Sequence, residues 1–482
     1  MAGLALLGCR KDELITDDPS AKLVLTEDTI FFDTVFTSVG SVTRRFVVRN
    51  ENASAVRVNV ALEGGTPSAY RINVDGASGT SFSDVEILGN DSIFVFVEAT
   101  IDPTNQSNPF LVEDHIRFNT NGNDQRVLLL AYGQNAHFYR PDQHVQGLPA
   151  FSYIAGGYEN GVQICETVHW TNDKPYVIFG YAVVDSCSTL IIDPGVRVYM
   201  HGGAGLWVYK YGRIIAGQAS GDPEDRIVFQ QDRRESIYDD LPNQWDRIWI
   251  NEGDQDNEFH NCVIKNALIG IQAQSLFTAG QPVGPNHLVL DQVIIQNCAT
   301  AGLYTENYRV NATDLLVADA GQYCAVLTGG GEYHFDHCTF ANYWSLEIRQ
   351  DPAFLLTDKF VNISGGGEIR TIETSVFTNG IVFGNNTNEF KLDIDGGAGA
   401  TFSFDHFLFK TDQNTNDPAH FDQSSIYRNQ EPGFVSPDDH DLHLSGPNTF
   451  PVNKADPSST VNEDLDGHSF APDYPLGCYQ HN

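Results

Sequence analysis

A short phrase recurs between His260 and Thr411, and it limits what this chain can become. An acidic or polar residue is followed six positions later by Asn or Asp: His260 to Asn266, Asp291 to Asn297, Thr313 to Asp319, Asp336 to Asn342 and Glu373 to Asn379. A weaker copy runs from Asp405 to Thr411. The positions two and four places into each copy are mostly apolar: Cys262/Val293/Leu315/Cys338/Ser375/Phe407 and Ile264/Ile295/Val317/Phe340/Phe377/Phe409. Alternation of period two marks a strand with one buried face, and here the buried face repeats. The closing positions lie 31, 22, 23, 37 and 32 residues apart. That spacing predicts a coil of about 22 residues, lengthened by loops in some turns, which is the rung length of a parallel β-helix.

Composition agrees with an all-β chain. Gly is common (43) and Met nearly absent (2), while β-branched and aromatic residues fill the apolar positions. Lys plus Arg number 28 against 63 Asp plus Glu, a formal charge of −35. Such a chain repels nucleic acid and anionic lipid surfaces, and no basic run exceeds Arg233-Arg234, so no nucleic-acid partner is expected. The acidity suits solubility in a cation-containing exterior. Eight cysteines without a CxxC pair form neither a disulfide framework nor a thiolate metal site. Cys262 and Cys338 share an inward column and are read as buried thiols acting as small hydrophobes.

In chain order, Met1 to Cys9 reads MAGLALLGC, too short to span a membrane. Leu6-Leu7-Gly8 before Cys9 resembles the end of a bacterial lipoprotein signal (residues 1–8) whose front is missing. Arg10-Lys11-Asp12-Glu13 resembles the charged stretch that sends Bacteroidetes lipoproteins to the outer face of the outer membrane. The resemblance implies lipidation at Cys9, contact with outer-membrane lipid through it, a polar tether over 9–24, and exposure to the cell exterior.

From 25 to 140, strand candidates such as 44–49, 56–60, 92–97 and 127–130 alternate with Asn, Gly and Ser clusters, which predicts an antiparallel sandwich. Phe46-Val47-Val48-Arg49-Asn50-Glu51-Asn52, Ile101-Asp102-Pro103 and His115 to Gly122 resemble the immunoglobulin-like domains of the major-sperm-protein and cilia-associated families. That likeness implies a spacer or contact module and no chemistry. Over 141–450, short strands closed by Gly or Pro (His169 to Gly180, Leu190 to Tyr199, Gly205 to Val208, Gly212 to Gly217, Arg226 to Phe229) lead through Gln244 to Ile250 into the ladder. They resemble the opening coils of right-handed parallel β-helix proteins from Bacteroidetes, a pectate-lyase-like architecture. In such proteins an Asn column at the turn bonds neighbouring backbone and its own copies, a structural role for Asn266, Asn297, Asp319, Asn342 and Asn379. Residues 451–482 resemble the closing segment that caps a last rung. The expected fold is therefore an immunoglobulin-like β-sandwich followed by a right-handed parallel β-helix.

Catalytic constellations are not visible. A lyase of this architecture needs a basic group and a means of masking a uronate, and the polar outward columns Asn261/Gln292/Asp314/His337/Thr374/His406 and Lys265/Gln296/Ala318/Ala341/Thr378/Lys410 hold only isolated cations. Glycosidases of this shape group aspartates with Gly-His-Gly and Arg-x-Lys, and both motifs are missing. Asp239-Asp240 and Asp438-Asp439 are the Asp pairs of this region, and they read as solvated loop carboxylates. The best local site is the charged loop Arg233, Arg234, Glu235, Tyr238, Asp239, Gln244 and Trp245, because inserted loops are where solenoids place function. Asp393/Asp395 and Asp464/Asp466, in acidic Gly-rich runs, are weak Ca²⁺ candidates; no other cofactor is expected.

One column conflicts with simple alternation. Val263, Ile294, Leu316, Thr339, Val376 and Leu408 should face outward, yet nearly all are apolar. Either the insertions 274–286 and 351–367 fold over this stripe, or it meets a partner, with Tyr304, Tyr343 and Trp344 extending a protein-docking or carbohydrate-stacking face. Two functional readings follow. One is a non-catalytic cell-surface lipoprotein that binds a glycan or docks onto an outer-membrane barrel assembly. The other is a polysaccharide lyase or glycoside hydrolase on the same scaffold, supported by fold analogy alone.

Overall fold

The computed structural model describes residues 14–104, 108–219, 222–275, 283–361 and 365–481. Cys9 lies outside them. Among the described residues the chain is all-β, with three short 3-10 turns and no α-helix. It divides into two compact units, Met1–Ala136 with Arg234–Ser236, and His137–Arg233 with Ile237–Asn482.

In the N-terminal unit two five-stranded sheets form. One orders Val24–Leu25, Arg44–Asn50, Asp91–Ala99, Tyr70–Val74 and Ala77–Gly79; the other orders Thr29–Phe36, Asn123–Gln134, Phe110–Thr120, Val56–Leu62 and Ser81–Ile87. Alternation decides what they bury. In Val56–Leu62 the side chains of Val56, Val58, Val60 and Leu62 enter the core while Arg57 and Asn59 stay outside, as period-two geometry requires. Asn50 is fully buried because its amide closes a turn, donating to the carbonyls of Ser54 (2.9 Å), Ile87 (3.0 Å) and Leu88 (3.0 Å).

The C-terminal unit is built from parallel pairing. Most strands of its long sheet bond the strands two or three places earlier and later in the chain, so three stacks can be followed. One runs Tyr176–Ile178, Arg197–Met200, Ile227–Gln231 and on through Asn257–Lys265. A second runs Tyr181–Val184, Gly205–Val208, Trp245–Asn251, Ala267–Gln274. The third runs Thr167–Trp170, Thr189–Ile192, Arg213–Ala216. The inward side chains of all three merge into one core that includes Cys262, Cys298, Cys324 and Cys338, all buried free thiols. Cys165 and Cys187 are joined by a disulfide across 22 residues, one rung to the next. The cysteine spacing of the sequence did not signal it.

Register corrects the fifth copy of the phrase. Asp336 pairs with Thr378, Phe340 with Val382 and Asn342 with Gly384, and Thr378 in turn pairs with Asp405. The true copy is Thr378–Gly384, five residues later than Glu373–Asn379. The error arose because Ile372–Gly384 is one continuous strand, so alternation fits in either phase and the acid-to-Asn spacing favoured the wrong one. Gly384 takes the corner position, where a side chain would run into the Asn342 carbonyl and the Glu389 carboxylate. Asn379, displaced from the corner column, joins Asn261, Gln292, Asp314, His337 and His406. All six have φ between +47° and +55°, the left-handed bend that short polar residues tolerate. This column, expected to face outward, is largely buried.

The apolar stripe is covered by the chain itself. With Ile381 in place of Val376, its members Ile294, Leu316, Ile381 and Leu408 are buried, and Val263 packs beside them. No described residue of the two insertions belongs to these clusters. The C-terminal segment lies along the stripe, with Leu442, Leu465, Cys478 and Tyr479 over Ile294 and Leu316, and Ala455 and Leu476 over Ile381 and Leu408. Val376 sits instead in register with His334 and Ser403. The end of the stack is met by other residues: Phe421 stacks on Phe404, and Ile426–Arg428 pairs with the last rung. The tail thus runs alongside several rungs, because an exposed stripe of this length would otherwise face water.

Candidate functional site

The corner column carries the amides that begin the site. Asn266, Asn297 and Asp319 are left-handed corners with φ of 66°, 56° and 50°. Asn297 donates its amide to Asn266 Oδ1 at 2.7 Å, and Asn266 donates to Gln231 Oε1 at 2.8 Å and to the Asp239 carbonyl at 2.7 Å. Asn342 closes its turn on Ala320 (2.9 Å to the carbonyl). Asn379 donates to Asp336 Oδ1 at 2.7 Å and accepts from the Asp456 N–H at 2.7 Å. At Asp319 the chain of amides stops. Its carboxylate accepts from the Tyr343 N–H at 2.9 Å and meets His440 Nδ1 at 2.6 Å.

A small pocket of about 200 Å³ opens there, lined by Asp240, Asn297, Asp319, Tyr343, Trp344, Ser345, Leu346, Pro437, Asp438 and His440. It brings together parts the sequence left separate. Asp240 and Asp438, one from each Asp pair, both line it, as does the aromatic pair Tyr343-Trp344. His440 is held by its hydrogen bond to Asp319, and its Nε2 lies 3.9 Å from Asp240. The Asp319 hydrogen bond, opposed by burial, raises the His440 pKa, so the imidazole is cationic more readily than a free histidine. Burial, with nearby carboxylates adding to it, pushes the Tyr343 hydroxyl well above the phenol range and keeps it neutral. The Trp344 indole N–H is buried without a hydrogen-bond partner.

The loop bearing Trp344 is anchored by a buried ion pair. Both terminal guanidinium nitrogens of Arg349 donate to Glu389, Nη1 at 2.8 Å. Glu389 also accepts the N–H groups of Asn386 (2.7 Å) and Ala353 (2.9 Å). Neither residue stood out in the sequence, since a lone Arg and a lone Glu forty positions apart carry no pattern. His440 could have been suspected from its position directly after Asp438-Asp439.

The other expected residues are placed differently. Trp245 is a core residue whose indole donates to the Lys265 carbonyl at 2.8 Å, so it does not close a ligand loop; its position at the start of Trp245–Asn251 explains why. Arg233 lies over the Tyr238 ring and bonds its hydroxyl at 2.8 Å. Arg234 and Glu235 precede the turn Ser236–Tyr238 and line no part of the pocket. Asp239 contributes only its carbonyl, to Asn266. Tyr304 is in register with Gln272 and Val326 on another stack, remote from the apolar stripe in register. Gln244 is half-buried.

The acidic runs are engaged by protein donors. Asp393 pairs with Lys359 at 2.7 Å, and the Asp395 N–H donates to the buried Asp358. Asp464 is buried, accepting from the N–H groups of Asp466 (2.9 Å), His468 (2.8 Å) and Gln480 (2.9 Å). Asp466 is shared by Arg226 (3.2 Å) and His443 (2.7 Å). Among the described residues no group of three or more His, Cys, Asp or Glu is placed to hold a metal ion, and no helix is long and apolar enough to cross a membrane.

No family model matches the chain, and no curated protein matches it. Among solved structures it is similar to a family 123 glycoside hydrolase from Clostridium perfringens (12% identity, TM-score 0.18, covering 23% of this chain and 26% of that chain). It is also similar to a PapD-like domain of human CEP192 (12%, 0.17, covering 28% and 97%). A third likeness is to the alkylpurine DNA glycosylase AlkC of Pseudomonas fluorescens (10%, 0.15, covering 24% and 31%). The chain spans about a quarter of the hydrolase's length. At such scores these likenesses carry no argument about fold or activity.

Proposed function

We propose that this chain is a non-catalytic, glycan-binding lipoprotein of the bacterial cell surface. In this reading an immunoglobulin-like sandwich over 25–140 spaces a right-handed parallel β-helix from an outer-membrane anchor at Cys9. The observation that carries the binding role is the pocket in which Tyr343 and Trp344 stand beside Asp240, Asp438 and His440. Sugar rings present apolar faces to aromatic side chains and hydroxyls to carboxylates and unpaired donors, and this small set offers both. The Cys165–Cys187 disulfide suits an oxidising compartment outside the cytoplasm. Burial of the apolar stripe by the chain's own tail removes the face first considered for docking, so an outer-membrane barrel is the less favoured partner.

The test is retention on a panel of immobilised polysaccharides. Binding to at least one glycan is expected, weakened about tenfold or more by Trp344→Ala. No retention on any glycan, or equal retention by the variant, overturns the reading. The second reading, a polysaccharide lyase or hydrolase, draws on two carboxylates and a histidine sharing one pocket. Release of reducing or unsaturated ends from the same panel, abolished in Asp240→Asn or Asp438→Asn, would establish it instead. Metabolic labelling with a fatty acid, lost in Cys9→Ser, tests the anchor.

A further inference from the structure

Three consecutive members of the column of left-handed residues each hold a buried atom without a hydrogen-bond partner. Gln292, Asp314 and His337 occupy the same register position on consecutive rungs, about 4.8 Å apart along the stack. Gln292 Oε1, Asp314 Oδ1 and His337 Nε2 are all buried and make no hydrogen bond. His337 Nδ1 lies 3.1 Å from the Gly477 carbonyl, which can only accept, so Nδ1 carries the proton and Nε2 is an acceptor. Three buried polar atoms therefore stand in a row without hydrogen-bond partners, a pattern that native proteins avoid.

A cleft of about 530 Å³ lies against the first two. Asp291, Gln292, Thr313 and Asp314 form one wall, and the tail residues Thr460–Glu463 form the other. Asp314 is only 2% exposed, yet it lines this cleft. Its burial, with the charges of Asp291, Asp464, Asp336 and Glu463 around it, disfavours its ionised form, which a cation seated in the cleft would favour again. Asp291 behaves oppositely. Its own burial is overcome by contacts with His260 (3.1 Å) and Thr313 (2.7 Å), which hold its pKa low.

We propose that this cleft binds a small organic cation through an ammonium group, with Asp314 and Gln292 as acceptors at its inner end and Asp291 and Glu463 supplying charge. The buried unpaired atoms of the wall, Gln292 Oε1 and Asp314 Oδ1, are acceptors, and Asp291 and Glu463 add acidic groups, so the complementary ligand is rich in donors and positively charged. A neutral polyol would bring no charge to meet the three carboxyl groups of the lining. The site is distinct from the aromatic pocket, which has other lining residues.

Calorimetry on the full chain in 150 mM salt tests this, with putrescine and glucosamine as two sources of the same ammonium chemistry and butane-1,4-diol as the neutral control. Saturable binding of one amine at one site per chain, and none of the diol, is expected. Asp314→Asn should weaken it about tenfold and Glu463→Gln about threefold. Glu463 is exposed, so its variant keeps the test open if Asp314→Asn disturbs folding. Binding of neither amine, equal binding of the diol, or unsaturable binding unchanged in both variants overturns the proposal. Preference for putrescine or for glucosamine tells a polyamine site from an amino-sugar site.

Discussion

Glu306 shows how one buried carboxyl reports its surroundings. It is 5% exposed and its Oε1 has no hydrogen-bond partner; burial, only partly offset by Arg370, raises its pKa to about 7. An acid whose folded pKa is raised favours the folded state most below its unfolded value, and that contribution falls as pH climbs from about 4.5 to about 7. Glu306→Gln should therefore match wild type in stability at pH 4 and be more stable by about 1–3 kcal/mol at pH 8, measured by denaturant unfolding at both values. At Asn297 the opposite is expected. Replacing it with Ala removes the amide that donates to Asn266 inside a buried stack, and should cost about 1–3 kcal/mol at any neutral pH.

Elements add two devices that hold the candidate site. The first is the Arg349–Glu389 pair that anchors the loop of Trp344. Arg349→Leu leaves a buried carboxylate unpaired and should cost about 3–5 kcal/mol, whereas the double variant Arg349→Leu/Glu389→Leu should recover much of that loss. A chemical denaturation series on the two variants decides it. The second device ties two segments of the tail to each other at Asp466, which also pairs with Arg226 of the stack. His443 bridges Asp466 and Asp441, and these hydrogen bonds, that to Asp466 foremost and against the opposing effect of burial, raise its pKa to about 9. For a histidine with a raised pKa the contribution is full below about 6.5 and is lost as pH rises through about 9. Asp466, its pKa lowered chiefly by the same His443 bond, loses its share at the acidic end. His443→Gln should flatten the fall in melting temperature between pH 6.5 and 9.

For the whole molecule, cysteine chemistry separates the classes of thiol. Cys262, Cys298, Cys324, Cys338 and Cys478 are buried, and burial pushes their pKa values up, so none should react with iodoacetamide in the native state. All five should label after unfolding, and a digest under non-reducing conditions should contain the peptides of Cys165 and Cys187 joined. Labelling of any of the five in the folded protein would contradict a packed core.

The sequence by itself determined the all-β character, the alternation that buries Cys262, Ile264 and their counterparts, and the corner amides at Asn266 and Asn297, because these depend on local period and on backbone preferences of single residues. It could also show that the stripe from Val263 to Leu408 had to be covered. Only the tertiary structure decided what covers it. Residues 442–479 return over rungs far earlier in the chain, Leu442 over Ile294 and Leu476 over Ile381, and no local period records such contacts. The same holds for register: alternation fitted Glu373–Asn379 and Thr378–Gly384 equally, and hydrogen bonding to neighbouring rungs chose the second. The candidate pocket was least legible of all. Asp240, Asp319, Trp344 and His440 come from four separate stretches of chain, and each by itself reads as an ordinary loop or corner residue.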